Sequence, residues 1–161
     1  MNRRTIFLAT TTALVASAIG VVGFFALRAT DDAPTSVDTA LEQRNSGGGV
    51  DVVAVLATGD RFQNMDAAAA ARVDPGSETG ILLTLDTHSG DLGAFDYAAG
   101  ARLLGDDGLE AAPLRWVTTK DDSHHLEGIL VFARQPRNQV TLALRGLGGV
   151  PERVFKFPAQ P

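Results

Sequence analysis

The chain of 161 residues contains no cysteine. This excludes disulfide bonds, thiolate metal sites, iron–sulfur ligation and a cysteine nucleophile. Any metal would have to bind to histidine and carboxylate side chains. Basic residues are in the minority, with 14 Lys and Arg against 19 Asp and Glu, so the formal net charge is -5. Because no basic excess is available to neutralise a phosphate backbone, we do not expect nucleic-acid binding.

Catalytic and nucleotide-binding motifs are missing as well. The sequence has no His-Glu-x-x-His, no Gly-x-x-x-x-Gly-Lys, no Gly-x-Gly-x-x-Gly after a predicted strand and no Gly-x-Ser-x-Gly. Ser89 or Ser123 with a histidine and an aspartate would supply the residue types of a hydrolytic triad, but neither serine lies in the turn that such a nucleophile needs. We therefore predict that the protein is not an enzyme.

The N-terminal segment predicts an anchor in the cell membrane. Residues 5–27 are 23 consecutive residues without a charge, and a hydrocarbon core of roughly 30 Å needs about 20 helical residues. Arg3 and Arg4 precede this run, and Asp31 and Asp32 follow it. The charge bias places the N-terminus in the cytoplasm. Residues 1–28 are therefore predicted to form a single-pass transmembrane helix, or signal anchor, with an extracytoplasmic C-terminal domain.

Cleavage of this segment is the alternative. Ala16, Ser17 and Ala18 fit a small-x-small cleavage site that follows an apolar stretch. Cleavage there would leave an apolar new terminus at residues 19–27, and it would make the domain a secreted protein. The basic pair also resembles a twin-arginine export signal. Both outcomes export the domain.

Polar residues and glycines dominate residues 29–49, which end in three consecutive glycines. This composition predicts a flexible linker. Residues 50–161 would then form one extracytoplasmic domain of 112 residues. A domain of that size can bury a sufficient core without disulfide bonds.

Short apolar runs separated by turn residues predict an all-β fold over residues 50–161. We expect an immunoglobulin-like antiparallel β-sandwich of about seven strands, preceded by the one N-terminal transmembrane helix. The predicted strands are 50–57, 79–87, 101–104, 110–116, 126–133, 139–145 and 152–157.

Three further features follow from this pattern. Residues 105–108, Gly-Asp-Asp-Gly, predict a hairpin turn, and the alanine-rich residues 65–72 predict a short helix. The central strand 79–87 carries apolar residues on both faces, which predicts burial on both sides. Five arginines in or beside strands are expected on the solvated face: Arg102, Arg115, Arg134, Arg145 and Arg153.

The histidines suggest a candidate metal site. His88 follows the central strand, and His124 and His125 precede strand 126–133. If these two strands are antiparallel neighbours, the end of one lies beside the start of the other. His88, His124 and His125, together with Asp86, could then bind Zn²⁺ or Cu²⁺. Asp86 would ligate the ion or orient His88.

A structural role for the same residues is the alternative. Adjacent strand residues point to opposite faces, so His124 and His125 can share one ion only in a loop conformation. Asp86, Thr87 and Ser89 are also residue types that hydrogen-bond turn backbone. Trp116, the single tryptophan, is expected to close the edge of the sandwich near the histidine loop.

Several strings resemble an uncharacterised family of bacterial membrane-anchored or secreted domains. The resemblance spans residues 79–157, and it includes the Asp-Thr-His-Ser element at 86–89, Trp116, the His-His pair at 124–125 and the strings at 128–132 and 149–155. No activity comes with this resemblance. It implies only that the two histidine elements belong to one recurring domain.

The sequence thus leads to two functional hypotheses. The first is a membrane-anchored extracytoplasmic binding module that binds a divalent transition metal through Asp86, His88, His124 and His125. The second is a structural or protein-interaction domain without a metal that docks a membrane partner.

Overall fold

The computed structural model describes residues 41–57, 70–134 and 139–159, all of which lie within one compact unit, Ser36–Pro161. These residues form a one-turn helix, α1 (Tyr97–Gly100), two 3-10 turns (Leu92–Ala94 and Leu147–Gly149) and nine strands: β1 (Glu42–Gly47), β2 (Val50–Ala57), β3 (Glu78–Thr87), β4 (Ala101–Leu104), β5 (Glu110–Ala111), β6 (Arg115–Asp122), β7 (His125–Ala133), β8 (Val140–Arg145) and β9 (Glu152–Phe157).

The predicted anchor, 5–27, lies outside the described residues, as does all but the end of the predicted helix at 65–72. Across the described ranges, no helix combines the length and the apolar character needed to cross a membrane.

The strands form two antiparallel sheets. The first, sheet A, has the order β1-β2-β3-β7-β6, and the second, sheet B, has the order β5-β4-β8-β9. Alternate residues of both sheets share one core, which confirms the prediction of an all-β antiparallel β-sandwich. The largest fully buried apolar side chains are Phe132, Phe155, Phe157, Ile81, Leu83, Leu85, Leu103, Leu126, Ile129, Leu130 and Leu142.

Strand β1 corrects the prediction that residues 29–49 are entirely a flexible linker. Its polar residues 42–47 pair with β2. They form an edge strand of sheet A, which is hydrogen-bonded to a neighbouring strand on one side only. Gly48 and Gly49, with φ of 54° and 73°, form the two-residue turn that closes this hairpin. Only glycine fits at Gly48, because a Cβ there would lie 2.1 Å from the carbonyl oxygen of Gly148.

The strand predicted at 110–116 is in fact two strands in different sheets. Glu110–Ala111 is β5 of sheet B, and Arg115–Asp122 is β6 of sheet A. Pro113 lies between them and cannot donate a ladder hydrogen bond, so the chain leaves one sheet there and joins the other. Strand β6 then extends to Asp122, which leaves only residues 123–124 as the turn before β7.

The described residues cover the outer face of sheet A only in part. A second, smaller apolar cluster there contains Ala57, Val73, Ile129 and Val131, with Leu82 half-buried beside it. The expectation that the central strand is buried on both sides therefore holds in full only for its core-facing residues.

Four turns and connections meet at one end of the sandwich, which we call the loop pole. The β1–β2 turn lies there, as do the connection 88–100, the β6–β7 turn and the β8–β9 turn. The register of sheet A shows this: Val50, which follows the β1–β2 turn, pairs with Thr87, and Asp86 pairs with His125, which follows the β6–β7 turn. Arg153, two residues beyond the β8–β9 turn, contacts the Gly47 carbonyl. The connection that follows β2, the β4–β5 turn and the connection that follows β7 lie at the opposite pole.

Candidate functional site

Two of the predicted site residues meet on the outer face of sheet A. Asp86 near the end of β3 is the register partner of His125 at the start of β7. The Asp86 Oδ1 to His125 Nδ1 distance is 2.5 Å, and Glu127 Oε1 lies 2.8 Å from Nε2 of the same ring. Both ring nitrogens therefore face a carboxylate. The expectation that these strand ends lie side by side is confirmed.

The surroundings favour a protonated imidazole at His125. The hydrogen bond to Asp86 raises the pKa of His125, and the bond to Glu127 raises it further. Asp51 pairs with Asp86 on the far side, while Asp122 and Lys120 of β6 face His125 and Glu127. An imidazolium bridging two carboxylates stabilises the pairing of β3 with β7. Its ring nitrogens cannot bind a metal ion while both carry protons.

His88 and His124 take no part in this cluster. His88 is exposed in the bend after β3, and His124 is exposed in the β6–β7 turn. The His124 backbone is bound, because its carbonyl accepts a hydrogen bond from the Thr87 amide at 2.9 Å and its amide donates to Asp122 Oδ1 at 3.3 Å. Neither imidazole makes a hydrogen bond or an ion pair with another described residue.

The metal hypothesis consequently gains no support. In the ranges 41–57, 70–134 and 139–159, no group of three or more histidine and carboxylate side chains is arranged to hold a metal ion. The alternation of strand residues explains this. Asp86 and His125 point to the outer face of sheet A, whereas Thr87, the residue after Asp86 on β3, points inward. Metal binding through Asp86, His88, His124 and His125 stays a prediction.

Thr87 fits the structural alternative. Its hydroxyl lies 2.9 Å from the Gly49 carbonyl oxygen and 2.7 Å from that of Ser89, and it accepts a hydrogen bond from the Ser89 amide. The side chain is nearly buried. It ties the β1–β2 turn to the connection 88–100.

An open cavity of about 210 Å³ lies at the loop pole. The β1–β2 turn, the end of β3, the connection 88–100 and the β8–β9 turn all contribute to its wall. Its apolar residues are Val50, Leu92, Phe95 and Leu147. Sequence reasoning missed this cavity because the contributing segments are far apart in the chain.

The Asp91 carboxylate lines this cavity, and the Asp121 carboxylate lies near Asp91 but outside the lining. Asp91 accepts a hydrogen bond from the Gly93 amide at 2.8 Å. A Cβ added at Gly93 would lie 3.2 Å from Asp91 Oδ1 and 3.8 Å from Asp121 Oδ1, so both carboxylates approach the same glycine. Both aspartates are exposed, and in the described part of the chain no ion pair engages either one.

Arg153 corrects the expectation that all five strand arginines face solvent. Its side chain is 0% exposed and points into the sandwich from the edge strand β9. It donates to Asn45 Oδ1 at 2.9 Å and to the Gly47 carbonyl at 2.6 Å, with a longer contact of 3.4 Å to the Leu147 carbonyl. Arg153 thereby joins the edge strands of the two sheets.

The charge of Arg153 has no direct carboxylate partner among the described residues, and its Nε atom has no hydrogen-bond acceptor there. Burial lowers the pKa of Arg153, and the nearby charge of Asp51 opposes this change. The guanidinium nevertheless stays charged, because arginine does not lose its proton in proteins. The alternation along β9, in which residues 153, 155 and 157 face inward, contains the signal that could have identified this residue.

Three aromatic rings hold the connection 88–100 against sheet A. Tyr97 stacks on Trp116 with 4.4 Å between ring centroids, and Phe95 meets Tyr97 edge-on at 5.0 Å. The Tyr97 hydroxyl donates to the Leu92 carbonyl at 3.0 Å, and burial raises the pKa of this phenol. Trp116 lies over Gly128, where a Cβ would approach within 2.2 Å of the indole ring. Trp116 lies in the edge strand β6, as predicted, but near the start of that strand and not beside the β6–β7 turn that carries His124, so the predicted proximity to the histidine loop is wrong.

The fold and this pole define an antiparallel β-sandwich with loops from both sheets around a cavity. No family model matches the chain, and no curated protein matches it. A solved structure of a DUF4426 family protein from Pseudomonas aeruginosa PAO1 is similar, with a TM-score of 0.44 and 12% sequence identity over 74% of this chain and 98% of that one. No activity is carried over from this similarity.

Proposed function

We propose that the chain is a non-catalytic binding module, anchored in the cell membrane by residues 1–28, whose extracytoplasmic domain binds a segment of a membrane partner at the loop pole. If the N-terminal segment is cleaved, the same domain acts as a secreted module. The convergence of loops from both sheets on one cavity, with the Asp91 carboxylate in its lining, carries this proposal.

An immunoglobulin-like topology is part of the proposal. Without β1, the order of sheet A is β2-β3-β7-β6 and that of sheet B is β5-β4-β8-β9. Lettered along the chain from β2, these orders read A-B-E-D and C′-C-F-G, which are the neighbour relations of immunoglobulin sandwiches. The connection 88–100 is then the B–C loop, and the β8–β9 turn is the F–G loop. In variable domains these two loops belong to the binding end.

The chemistry of the loop pole supports binding rather than catalysis. Serine nucleophiles need an imidazole base within hydrogen-bond reach. Both nitrogens of His125 contact carboxylates, and no hydrogen bond joins a serine to any histidine ring in the described part of the chain. The cavity is open, and the half-buried Phe95 ring in its wall offers apolar surface to a side chain of a partner.

Site-specific photo-crosslinking in intact cells of the native host tests this proposal. A photoreactive phenylalanine analogue replaces His88 or His124 at the loop pole, or Leu109 at the opposite pole in a matched control. All three positions are exposed, and Leu109 is 71% exposed. We expect His88 and His124 to give adducts of the same discrete size and Leu109 to give none.

The comparison of adducts from the loop-pole positions with those from Leu109 decides the outcome. Equal adducts from Leu109, or none from the loop pole, would contradict the proposal. A second form of each chain without residues 1–28 stays in the cytoplasm if the anchor is assigned correctly, and it should lose the adduct. An adduct that persists in that form would show that the partner is accessible from the cytoplasm, which contradicts the proposal.

A further inference from the structure

We infer that the pole opposite the loop pole lies on the lipid surface, and that Leu109 and Leu114 enter the interface of the bilayer there. This inference rests on the proposed function, because it assumes that residues 1–28 anchor the chain. It goes further by assigning a ligand, a lipid surface, to the second pole of the domain.

Two exposed apolar side chains mark this pole. Among the described residues, three large apolar side chains are exposed: Leu109 (71%), Leu114 (58%) and Val154 (43%). Leu109 belongs to the β4–β5 turn, whereas Val154 lies in the middle of β9. Leu114 precedes Arg115, which pairs with Val131 near the end of β7 at the same pole. Exposed apolar side chains gathered at one end of a domain are typical of a contact with a partner or a membrane.

The backbones of both leucines are held in place. The Leu109 amide donates to Asp107 Oδ1 at 3.0 Å, and the Leu109 carbonyl accepts from the Gly105 amide at 3.1 Å. The Leu114 amide donates to the Val131 carbonyl at 2.7 Å. Because these hydrogen bonds already fix the backbone, insertion of the two side chains would cost little conformational entropy.

The path of the chain indicates that a bilayer covers this pole. Strand β1 begins at Glu42, whose register partner is Val55 near the end of β2, so the chain enters the domain at the same pole as the two leucines. Only 12 residues, 29–40, lie between the predicted anchor and Leu41. Fully extended, the chain from residue 28 to residue 41 spans about 45 Å.

The length of the sandwich makes the reverse orientation unfavourable. With the loop pole against the bilayer, residues 29–40 would have to run past the whole sandwich, which is about 33 Å for the ten residues of β3. That distance is most of their full extension, and stretching a chain so far costs conformational entropy. Attachment at the opposite pole therefore favours contact between that pole and the bilayer.

The charges of this pole suit a lipid surface without net charge. Asp106 and Asp107 are exposed in the β4–β5 turn, Arg134 is exposed after β7, and Lys156 is exposed near the end of β9. Both signs are present, as they are in the phosphate and choline groups of phosphatidylcholine. The apolar area of the two leucines would then provide the attraction, so the contact should persist at high salt.

Spin-label accessibility measures this contact. The chain has no cysteine, so Leu109→Cys places a single nitroxide at this pole and His88→Cys places one at the loop pole. The full-length chain is inserted into nanodiscs of phosphatidylcholine, one chain in each. Collisions of the nitroxide with oxygen, which is enriched in lipid, are compared with collisions with a water-soluble nickel complex. We expect a higher oxygen-to-nickel ratio at 109 than at 88 in low and high salt, and equal ratios would overturn the inference.

Matched substitutions test whether the leucines make the contact. Leu114→Gln in the labelled Leu109→Cys chain removes apolar surface without adding a charge, so the oxygen-to-nickel ratio should fall toward the His88→Cys value. Val154→Gln likewise replaces an exposed apolar side chain by glutamine, but on β9, and it should leave the ratio unchanged. A ratio that responds equally to both substitutions would show that the contact does not depend on this pole.

The remaining outcomes separate this inference from the proposed function. If the label at 109 leaves water only when each nanodisc holds two chains, a second copy and not lipid covers the surface, and the inference is wrong. If the label stays in water while the crosslinks from His88 and His124 persist, the inference fails and the proposed function stands. A full-length chain that does not insert into nanodiscs would contradict the anchor and therefore both proposals.

Discussion

The two poles of the sandwich use their charged groups differently. At the pole opposite the loop pole, Arg115 forms a bidentate ion pair with Glu78 at 2.6 and 2.8 Å, and it also donates to the Arg72 carbonyl. Arg134 there donates to the Gly76 carbonyl. At the loop pole, Asp91 and Asp121 have no such basic partner among the described residues. The ion pairs also differ in kind: His125 pairs with Asp86 and Glu127 at the loop pole, whereas an arginine pairs with its carboxylate at the opposite pole.

Burial separates the poles as well. The Arg115 side chain is 41% exposed beside its carboxylate partner, whereas Arg153 is fully buried and bonded mainly to carbonyls. An exposed pair contributes little to stability, because water already solvates both ions. A buried group leaves its partners unsatisfied when it is removed. Substitutions at the loop pole should therefore have the larger effects on folding.

The largest expected effect is that of Arg153→Met. The substitution keeps a long apolar stem but leaves Asn45 Oδ1 and the Gly47 carbonyl without their donor, so we expect the free energy of unfolding to fall by about 2–4 kcal/mol. Urea unfolding of the full-length chain in detergent micelles, followed by Trp116 fluorescence, measures it. Arg145→Met removes an exposed, ion-paired arginine and should change the midpoint far less. Equal midpoints for the two variants would contradict the role of Arg153 in joining the sheets.

Gly128→Ala should have the next largest effect. A Cβ at this position would lie 2.2 Å from Trp116 Cζ2, so the indole must move off its stack on Tyr97. We expect a loss of about 1–3 kcal/mol, the usual cost of overpacking, together with a shift in Trp116 emission. Gly47→Ala is the control, because its Cβ would make an ordinary contact of 3.6 Å with Val150. A Gly128→Ala protein with native stability and emission would disprove the close packing.

The pH dependence of stability should differ between the poles. The pKa of His125 is raised, chiefly by Asp86, so the stabilisation from its cluster is complete below the ordinary histidine pKa and is lost as the pH rises through the raised value. Arg115 lowers the pKa of Glu78 to about 2, so the stabilisation at that pole is present above the ordinary glutamate pKa and is lost as the pH falls toward 2.

Melting temperatures from pH 2 to pH 9 check both slopes. His125→Gln should flatten the decline on the alkaline side and leave the acid side unchanged, while Glu78→Gln should do the reverse. Both effects are modest because the groups are partly exposed. If His125→Gln retains the alkaline decline, the imidazole is not the group that titrates.

The smallest expected effect is that of added metal. Because both ring nitrogens of His125 contact carboxylates, we expect Zn²⁺ or Cu²⁺ to raise the melting temperature of the full-length chain by less than about 1 °C, since only a ligand that favours the native state stabilises it. Calorimetric titration provides the independent measurement. Heat of binding that disappears in the double variant His88→Ala, His124→Ala would instead support the metal hypothesis.

Local sequence patterns predicted much of the framework. The bounds of β2, β4 and β9 agree with the predicted strands 50–57, 101–104 and 152–157, because their side chains alternate and turn residues flank them. β1 escaped prediction because an edge strand can be polar on most of its positions. The split of 110–116 was signalled by Pro113, but the change of sheet depends on which strands receive the two pieces.

The candidate site was only half predictable. The meeting of Asp86 with His125 follows from two antiparallel neighbours whose ends carry those residues. The sequence does not predict the face to which each histidine ring points, because an offset of one residue moves a side chain to the other face of a sheet. The cavity and the carboxylates of Asp91 and Asp121 required the loops of both sheets to be placed together.

The sequence by itself determined an all-β antiparallel framework without disulfide bonds, because alternation and turn chemistry are properties of neighbouring residues. Only the tertiary structure decided which strands pair, that Arg153 points inward to join two edges, and that four distant segments surround one cavity. Those outcomes depend on contacts between residues far apart in the chain, where packing and hydrogen bonding of the whole sandwich select one arrangement.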